Sequence, residues 1–454
     1  MVGHGEAHIN QHTSTSRSVR PARATGRVAV PSSKSHTIRA LLIAGAATEP
    51  STIHNVLESA DAERCMAALT SLGATVETIA REETGITVRV TPPAGGMLAG
   101  KSTGEPPRID VGNSGTTLYL LTALAALRPG GVCFDGDESI RRRSAGPLHL
   151  ALRRLGATIS GGREGCAPYC ITGPLKPGRR VTVESPTSQY LSALLLTAPV
   201  LPIPPGTAAS DRTTRLDISL LYERPYIDMT CWWLDRQGIA YRRGDYDWFS
   251  VPGGQRYRPV SGQLPGDYSS ATFWFCAAAI TGGEVVVTGL ASDDVQGDRA
   301  VLSVLEDMGC SVEWSASGIR VAGSPTRGGS FDLNDMPDAL PALAVTACAA
   351  PKPVTLGNVP QARAKETDRI AVMAREITTL GGRVEELPDG LVIHPARLHG
   401  GTVDSHGDHR VAMAMAVAAL GATGQVTITD AAAAAVTYPG FWRDLAEVAP
   451  GSLA

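Results

Sequence analysis

Lys34 stands between Ser33 and Ser35 at the start of an apolar run, and Lys365 directly precedes Glu366-Thr367-Asp368-Arg369. Only five of the 41 basic residues are lysine, and the other three (Lys101, Lys176 and Lys352) lie outside any polar motif. A lysine ammonium is a compact donor whose pKa moves readily, which suits proton shuttling and phosphate contact alike. Further along, Asp338 follows Pro337, and Asp408-His409-Arg410 opens another apolar run. Cations and carboxylates grouped in this way can bind an anion and move protons. An aspartate at a helix start also serves as a cap, and needs no chemistry for that.

The elements that must hold these residues recur. Six times a short polar cluster opens an Ala/Leu/Val-rich helix: near Lys34, at Asn113-Ser114-Gly115-Thr116, at Thr187-Ser188-Gln189, at Asp267-Tyr268-Ser269-Ser270, at Pro337-Asp338 and at Asp408-His409-Arg410. The spacing, about 70 to 80 residues, reads as one supersecondary unit copied six times. A helix N-terminus offers unpaired N–H groups and partial positive charge. Six such starts pointed at one place would bind something strongly anionic.

Each unit also carries an amphipathic helix, then glycine, then a strand, as in Leu148 to Leu155, Gly156 and Ala157-Thr158-Ile159. Apolar residues at three- and four-residue spacing mark the helix, and glycine at its exit is the expected cap. The pattern predicts an α/β chain of strand-helix-strand-helix units with extra strands, grouped as two similar domains of three units. The sixth copy stops short after Phe441 to Val448, and the stretch 261–266 suits a crossing between domains.

At 454 residues, 43% hydrophobic and 19% charged, the chain has ample core. A net charge of -3 lacks the basic footprint of a nucleic-acid protein. No apolar run reaches the roughly 18 residues of a membrane span. Residues 1–24 are polar, lack the apolar stretch of a secretory signal, and are expected to be a flexible tail. His4, His8 and His12 recur every four residues, but so short an isolated helix is a poor metal grip. Most of the eight cysteines lie in apolar contexts, as core thiols do, and Cys166 and Cys170 have no second pair to make a zinc site. These thiols point to a reducing compartment, the cytoplasm.

Taken in order, the motifs resemble the enolpyruvyl (carboxyvinyl) transferase family from about Arg27 to Ala449. The resemblance rests on Pro31 to Arg39, Gly112 to Thr116, Gly136-Asp137 with Arg143 and Gly146, Ser188 to Leu194, Arg224 to Asp228, Gly266 to Ala271, Gln296 to Asp298, Pro337-Asp338, Lys365 to Arg369 and Asp408 to Arg410. It implies two inside-out α/β domains, each of three βαβαββ-type units, with the active site in the cleft between them. One domain would be 34–264 and the other 25–33 with 265–454. It further implies transfer of the enolpyruvyl group of phosphoenolpyruvate to an alcohol, with no cofactor or metal. The partners would be small anionic substrates only, acting on a monomer.

By the same resemblance Asp338 contacts the alcohol, Glu366 is the acid/base for the enol methylene, and Lys34 lies between both substrates. Gly115, Arg369 and Arg410 match phosphoenolpyruvate ligands. Ser35, Arg39, Thr187, Ser188, Gln189, Tyr226, Gln361 and Lys365 match positions that bind a phosphorylated shikimate-type acceptor.

Three positions depart from the family. Tyr119 stands where an arginine clamps the phosphoenolpyruvate carboxylate, Val436 where a lysine contacts the same ligand, and Glu223 where a serine binds the acceptor phosphate. Charge-assisted hydrogen bonds are worth roughly 1.5–3 kcal/mol each, so phosphoenolpyruvate binding should suffer unless Arg142 or Arg224 compensates. All three changes make the cleft less positive. They leave open a lyase that eliminates water or phosphate from one shikimate-like cyclohexene carboxylate without phosphoenolpyruvate, and a binding protein without catalysis.

Overall fold

The computed structural model describes residues 16–99 and 104–453; His4, His8, His12 and Lys101 lie outside them. Its helices come in pairs, six in all: α1 (Lys34–Ala46) and α2 (Ala60–Ser71), α3 (Gly115–Ala125) and α4 (Gly146–Leu155), α5 (Ser188–Thr197) and α6 (Arg224–Arg236), α7 (Tyr268–Thr281) and α8 (Val301–Asp307), α9 (Leu340–Ala347) and α10 (Arg369–Thr379), α11 (His409–Leu420) and α12 (Phe441–Val448). The first of each pair is apolar all round. In α11 every residue is buried, and in α7 all from Tyr268 to Ala279 are. A helix without a polar face belongs inside. Accordingly α1, α3 and α5 pack in one lobe and α7, α9 and α11 in the other, with the sheets outside them.

The unit starting at Arg108–Asp110 shows the pattern. That strand runs parallel to Val132–Asp135, Tyr169–Thr172 pairs antiparallel with the latter, and Thr158–Gly161 takes the edge. Five of the six sheets have this four-stranded order. The outer helices end where the chain must turn sharply into the edge strand. The glycines there (Gly73, Gly156, Gly238, Gly309 and Gly381) all have positive φ, which a side chain would resist.

Two opening strands are exchanged between the lobes. Thr25–Ala29 lies parallel to Glu284–Thr288, whereas Ser261–Gln263 lies parallel to Ser51–Val56. The chain therefore crosses twice, and the crossings run side by side: Ser33 N donates to Pro265 O at 2.9 Å and Asp267 N to Pro31 O at 2.9 Å. A Cβ on Gly266 would sit 2.6 Å from Gly289 O, so only glycine lets the second crossing pass this close to the backbone at Gly289. Two separate hydrophobic cores result. One draws on residues between Ile38 and Leu264, the other on Val19 to Val30 together with Tyr268 to Ala449. They support a domain division at these crossings.

Two expectations change. The tail reading does not hold from Arg17 onward. Arg17–Val19 is a strand that pairs antiparallel with Val426–Thr429 and completes the sixth, three-stranded sheet, which the truncated last copy could not fill from its own residues. Its Val19 is fully buried. Nor are all cysteines thiols: Cys133 and Cys170 lie opposite each other on neighbouring strands and form a disulfide. Their separation of 37 residues hides a pairing that only the strand register creates.

Because Val19 closes that sheet, Val19→Asp should cost about 2–4 kcal/mol of stability, the loss of apolar burial plus that of an unpaired charge. Denaturant unfolding checks this, and an unchanged midpoint would return these residues to the tail.

Candidate active site

The polar clusters become helix starts as their caps require. Ser114 accepts from Thr117 N, Asp267 from Ser270 N, and Asp408 from Arg410 N and Val411 N. Five of the six inner-helix starts line one cleft of about 790 Å³ between the lobes. Lys34 and Ser35, Gly115, and Thr187 and Ser188 come from one side; Asp338, and His409 with Arg410, come from the other. The sixth start lies beneath, where the buried Asp267 carboxyl feels the charges of Arg410 and Lys34.

Arg369 organises the cleft floor. Its guanidinium, 1% exposed, donates from Nη1 to Asp338 Oδ1 at 2.6 Å, from Nη2 to Glu366 Oε2 at 2.7 Å and from Nε to Asp408 Oδ2 at 2.7 Å. Arg410 adds a contact to Asp338 Oδ2 at 3.0 Å. Burial pushes the Asp338 carboxyl up, but Arg410, Lys365 and Arg369 outweigh it and hold the group well below the usual carboxylate range. Glu366 is likewise raised by burial and brought down further by Arg369, Arg143 and Lys34. Both are therefore ionised at neutral pH. Burial takes His409 the other way, to about 3, leaving a neutral imidazole.

Contacts between the lobes close over this floor. Tyr226 Oη donates to Asp338 Oδ2 at 3.3 Å and lies 3.5 Å from Asp298 Oδ2, and Arg143 Nη2 lies 3.7 Å from Glu366 Oε1. The Lys365 ammonium donates to Glu223 Oε1. The other oxygen of that carboxylate accepts from Ser188 N at 3.0 Å, Ser188 Oγ at 2.8 Å and Thr187 Oγ1 at 3.2 Å. Lys34 pairs with Asp61 at 3.2 Å.

The remaining expected residues divide. Arg39 is spent on the scaffold, donating to Ser35 O, Thr230, Ser192 and Tyr226 O. Gln361 and Gln189 line the cleft with side-chain oxygens that have no partner. Tyr119 packs edge-on against Tyr190, 5.1 Å between centroids. Val436 ends the turn Ala431–Val436, which packs against α2 and does not line the cleft. Of the two suggested compensators, Arg142 is among the residues lining the cleft and Arg224 is not. Arg142 is mostly exposed and paired with Glu138, and the Arg224 guanidinium sits over the Tyr246 ring. The cation beside Tyr119 is Arg143, whose charge is felt by the Tyr119 hydroxyl. Arg143, Asp61, Asp408 and His409 were not among the expected site residues. Arg143 and Asp408-His409 did stand in the quoted motifs, but nothing in the sequence pointed to Asp61.

Burial and the Asp338 charge push the Asp298 carboxyl up to about 7. Between pH of about 4 and 7 the folded state keeps a proton that the unfolded state has lost, so this group makes stability fall as pH rises. In thermal unfolding across that range, Asp298→Asn should be progressively more stable than the parent, the gap levelling above pH of about 7. A gap independent of pH would mean that Asp298 is ionised throughout.

Comparison with known proteins agrees with this architecture. Residues 19–445 match the model of the EPSP synthase (3-phosphoshikimate 1-carboxyvinyltransferase) family. A 3-phosphoshikimate 1-carboxyvinyltransferase of Acetivibrio thermocellus is 44% identical over 93% of this chain and 96% of its own length. One from Chlamydia trachomatis is 37% identical over 93% and 92%. A solved EPSP synthase from Acinetobacter baumannii superposes with a TM-score of 0.76 at 25% identity, covering 96% of this chain and 98% of that one. With two lobes of repeated units, helix starts converging on one cationic cleft and this likeness over nearly its whole length, the chain belongs to the EPSP synthase family of carboxyvinyl transferases.

Proposed function

We propose that this chain transfers the enolpyruvyl group of phosphoenolpyruvate to a ring hydroxyl of a shikimate-type acceptor and releases phosphate. The observation that carries the reading is the pair of partly buried carboxylates, Asp338 and Glu366, held by one guanidinium in a cleft lined by helix starts. The acceptor oxygen bonds to C2 of phosphoenolpyruvate as a proton reaches C3. Phosphate then leaves C2 as C3 gives a proton back. In this reading Asp338 takes the hydroxyl proton, Glu366 serves C3, and Lys34 contacts both substrates.

As they stand, Asp338 and Glu366 are held too tightly by cations to be effective bases or acids. Anionic substrates that draw Arg369, Arg410 and Arg143 toward themselves would relax that hold and raise both pKa values toward the useful range. We place the reaction in the cytoplasm and in a monomer. No helix among the described residues is long and apolar enough to cross a membrane.

Release of phosphate from phosphoenolpyruvate in the presence of shikimate or shikimate 3-phosphate tests the reading. Asp338→Asn and Glu366→Gln should each lower turnover by about a hundredfold or more, the usual contribution of a general acid or base. Lys34→Met should abolish it, whereas Lys176→Met should not. Activity near the parent level in both carboxylate variants would leave them as counter-ions of Arg369.

Elimination from a lone shikimate-like substrate is the second reading. It is favoured by Tyr119, which is buried against Tyr190 where the family resemblance expects an arginine, and by Val436 in place of a lysine. Two missing charged contacts put phosphoenolpyruvate binding in the millimolar range, at about 1.4 kcal/mol per tenfold. Calorimetric titration should show that weak binding, and Tyr119→Arg should tighten it. Micromolar binding by the parent would show that Arg143 suffices. No binding, together with consumption of the lone substrate, would establish elimination.

A further inference from the structure

We propose that Glu223 makes this cleft select an acceptor with a free hydroxyl, and no phosphate, at the end facing the start of α5. This rests on the shikimate-type acceptor proposed above. Four donors converge there: the backbone N–H of Ser188, the hydroxyls of Ser188 and Thr187, and the Lys365 ammonium. A helix start with two hydroxyls and a lysine is a set of groups that would hold a phosphate. All four are already satisfied by the Glu223 carboxylate, which is 1% exposed. An anion built into the chain competes at high effective concentration. A phosphate that displaced it would leave the carboxylate buried beside a second negative charge, the costly arrangement of like charges.

The backbone holds Glu223 in this position. It has the left-handed conformation, φ 60° and ψ 47°, that turns the chain into α6. Its own N–H donates to Asn334 Oδ1 at 3.4 Å and that of Arg224 to Asp335 Oδ1 at 3.3 Å, so the turn is pinned from the opposite lobe. A second observation points to the same ligand chemistry. Gln361, a residue of the cleft lining, is buried; its Nε2 donates to Asn334 O at 2.9 Å, which orients the amide, and its Oε1 has no partner. Gln189 Oε1 is likewise unpartnered. Unsatisfied acceptors on residues that line the same cleft as the Glu223 carboxylate call for O–H donors, which a free hydroxyl supplies and an ionised phosphate does not. The relatives at 44% and 37% identity are named for a phosphorylated acceptor, so Glu223 would separate this chain from them in substrate.

The test is calorimetric titration of the whole protein with shikimate and with shikimate 3-phosphate, without phosphoenolpyruvate. The parent should bind shikimate, and bind its 3-phosphate at least about a hundredfold more weakly. Glu223→Ser, which frees the four donors, should shift that ratio toward the phosphate by at least about tenfold. Glu223→Gln removes the charge while keeping the shape, and should move the ratio the same way if the serine variant does not fold. Preference of the parent for the 3-phosphate, an unchanged ratio in the folded variants, or failure of the parent to bind shikimate would each overturn the proposal. The transfer reading fails separately, through absence of phosphate release when phosphoenolpyruvate is present.

Discussion

The buried guanidinium of Arg369 binds three carboxylates at once, and the floor of the cleft depends on that arrangement. Asp338, Glu366 and Asp408 come from three different polar clusters, and none could stay ionised away from water without a shared counter-charge. Arginine suits the task because its planar fork presents several donors in fixed directions, which a lysine ammonium does not. Removing it would take one counter-charge from all three at once, leaving Asp338 to Arg410 and Glu366 to the more distant Arg143.

The inside-out arrangement makes such a floor possible. Apolar inner helices are buried by packing side by side within each lobe, and their starts then emerge together at the interface of the lobes. Each start contributes unpaired N–H groups and partial positive charge. The exchanged strands at the two crossings keep the lobes in register through paired backbone at 31–33 and 265–267. Tyr226, Arg143 and Lys365 can consequently reach across to Asp338, Glu366 and Glu223.

Within this scaffold the cleft is less cationic than its helix starts suggest. Its cations are largely occupied by the chain's own carboxylates: Lys34 by Asp61, Lys365 by Glu223, and Arg369 and Arg410 by Asp338. An anion that bound to these cations would exchange partners with the chain's own carboxylates rather than fill vacant charges, and would thereby loosen the hold on Asp338 and Glu366.

What the chain determined by itself is what is encoded within a few residues. Helix starts at Gly115, Ser188, Tyr268 and His409 follow from capping side chains beside apolar runs, and those at Lys34 and Leu340 from the apolar runs without a side-chain cap. The glycine exits follow from the left-handed turn, and the Lys365 to Arg369 cluster is contiguous. Tertiary structure decided the pairings between residues far apart in sequence. The partners of Arg369 lie up to 39 residues away, Lys365 meets Glu223 across 142, and Arg17 pairs with Ile428. Tertiary structure also set which cations remain beside Tyr119 and left Val436 outside the cleft. Glu223 could be read from the sequence only as a charge in an unexpected place. That it occupies the α5 start follows from how the two lobes meet, because the turn before α6 is held by Asn334 and Asp335 of the opposite lobe. Local capping and periodicity act over about four residues, whereas these contacts exist only once both lobes have closed around the cleft.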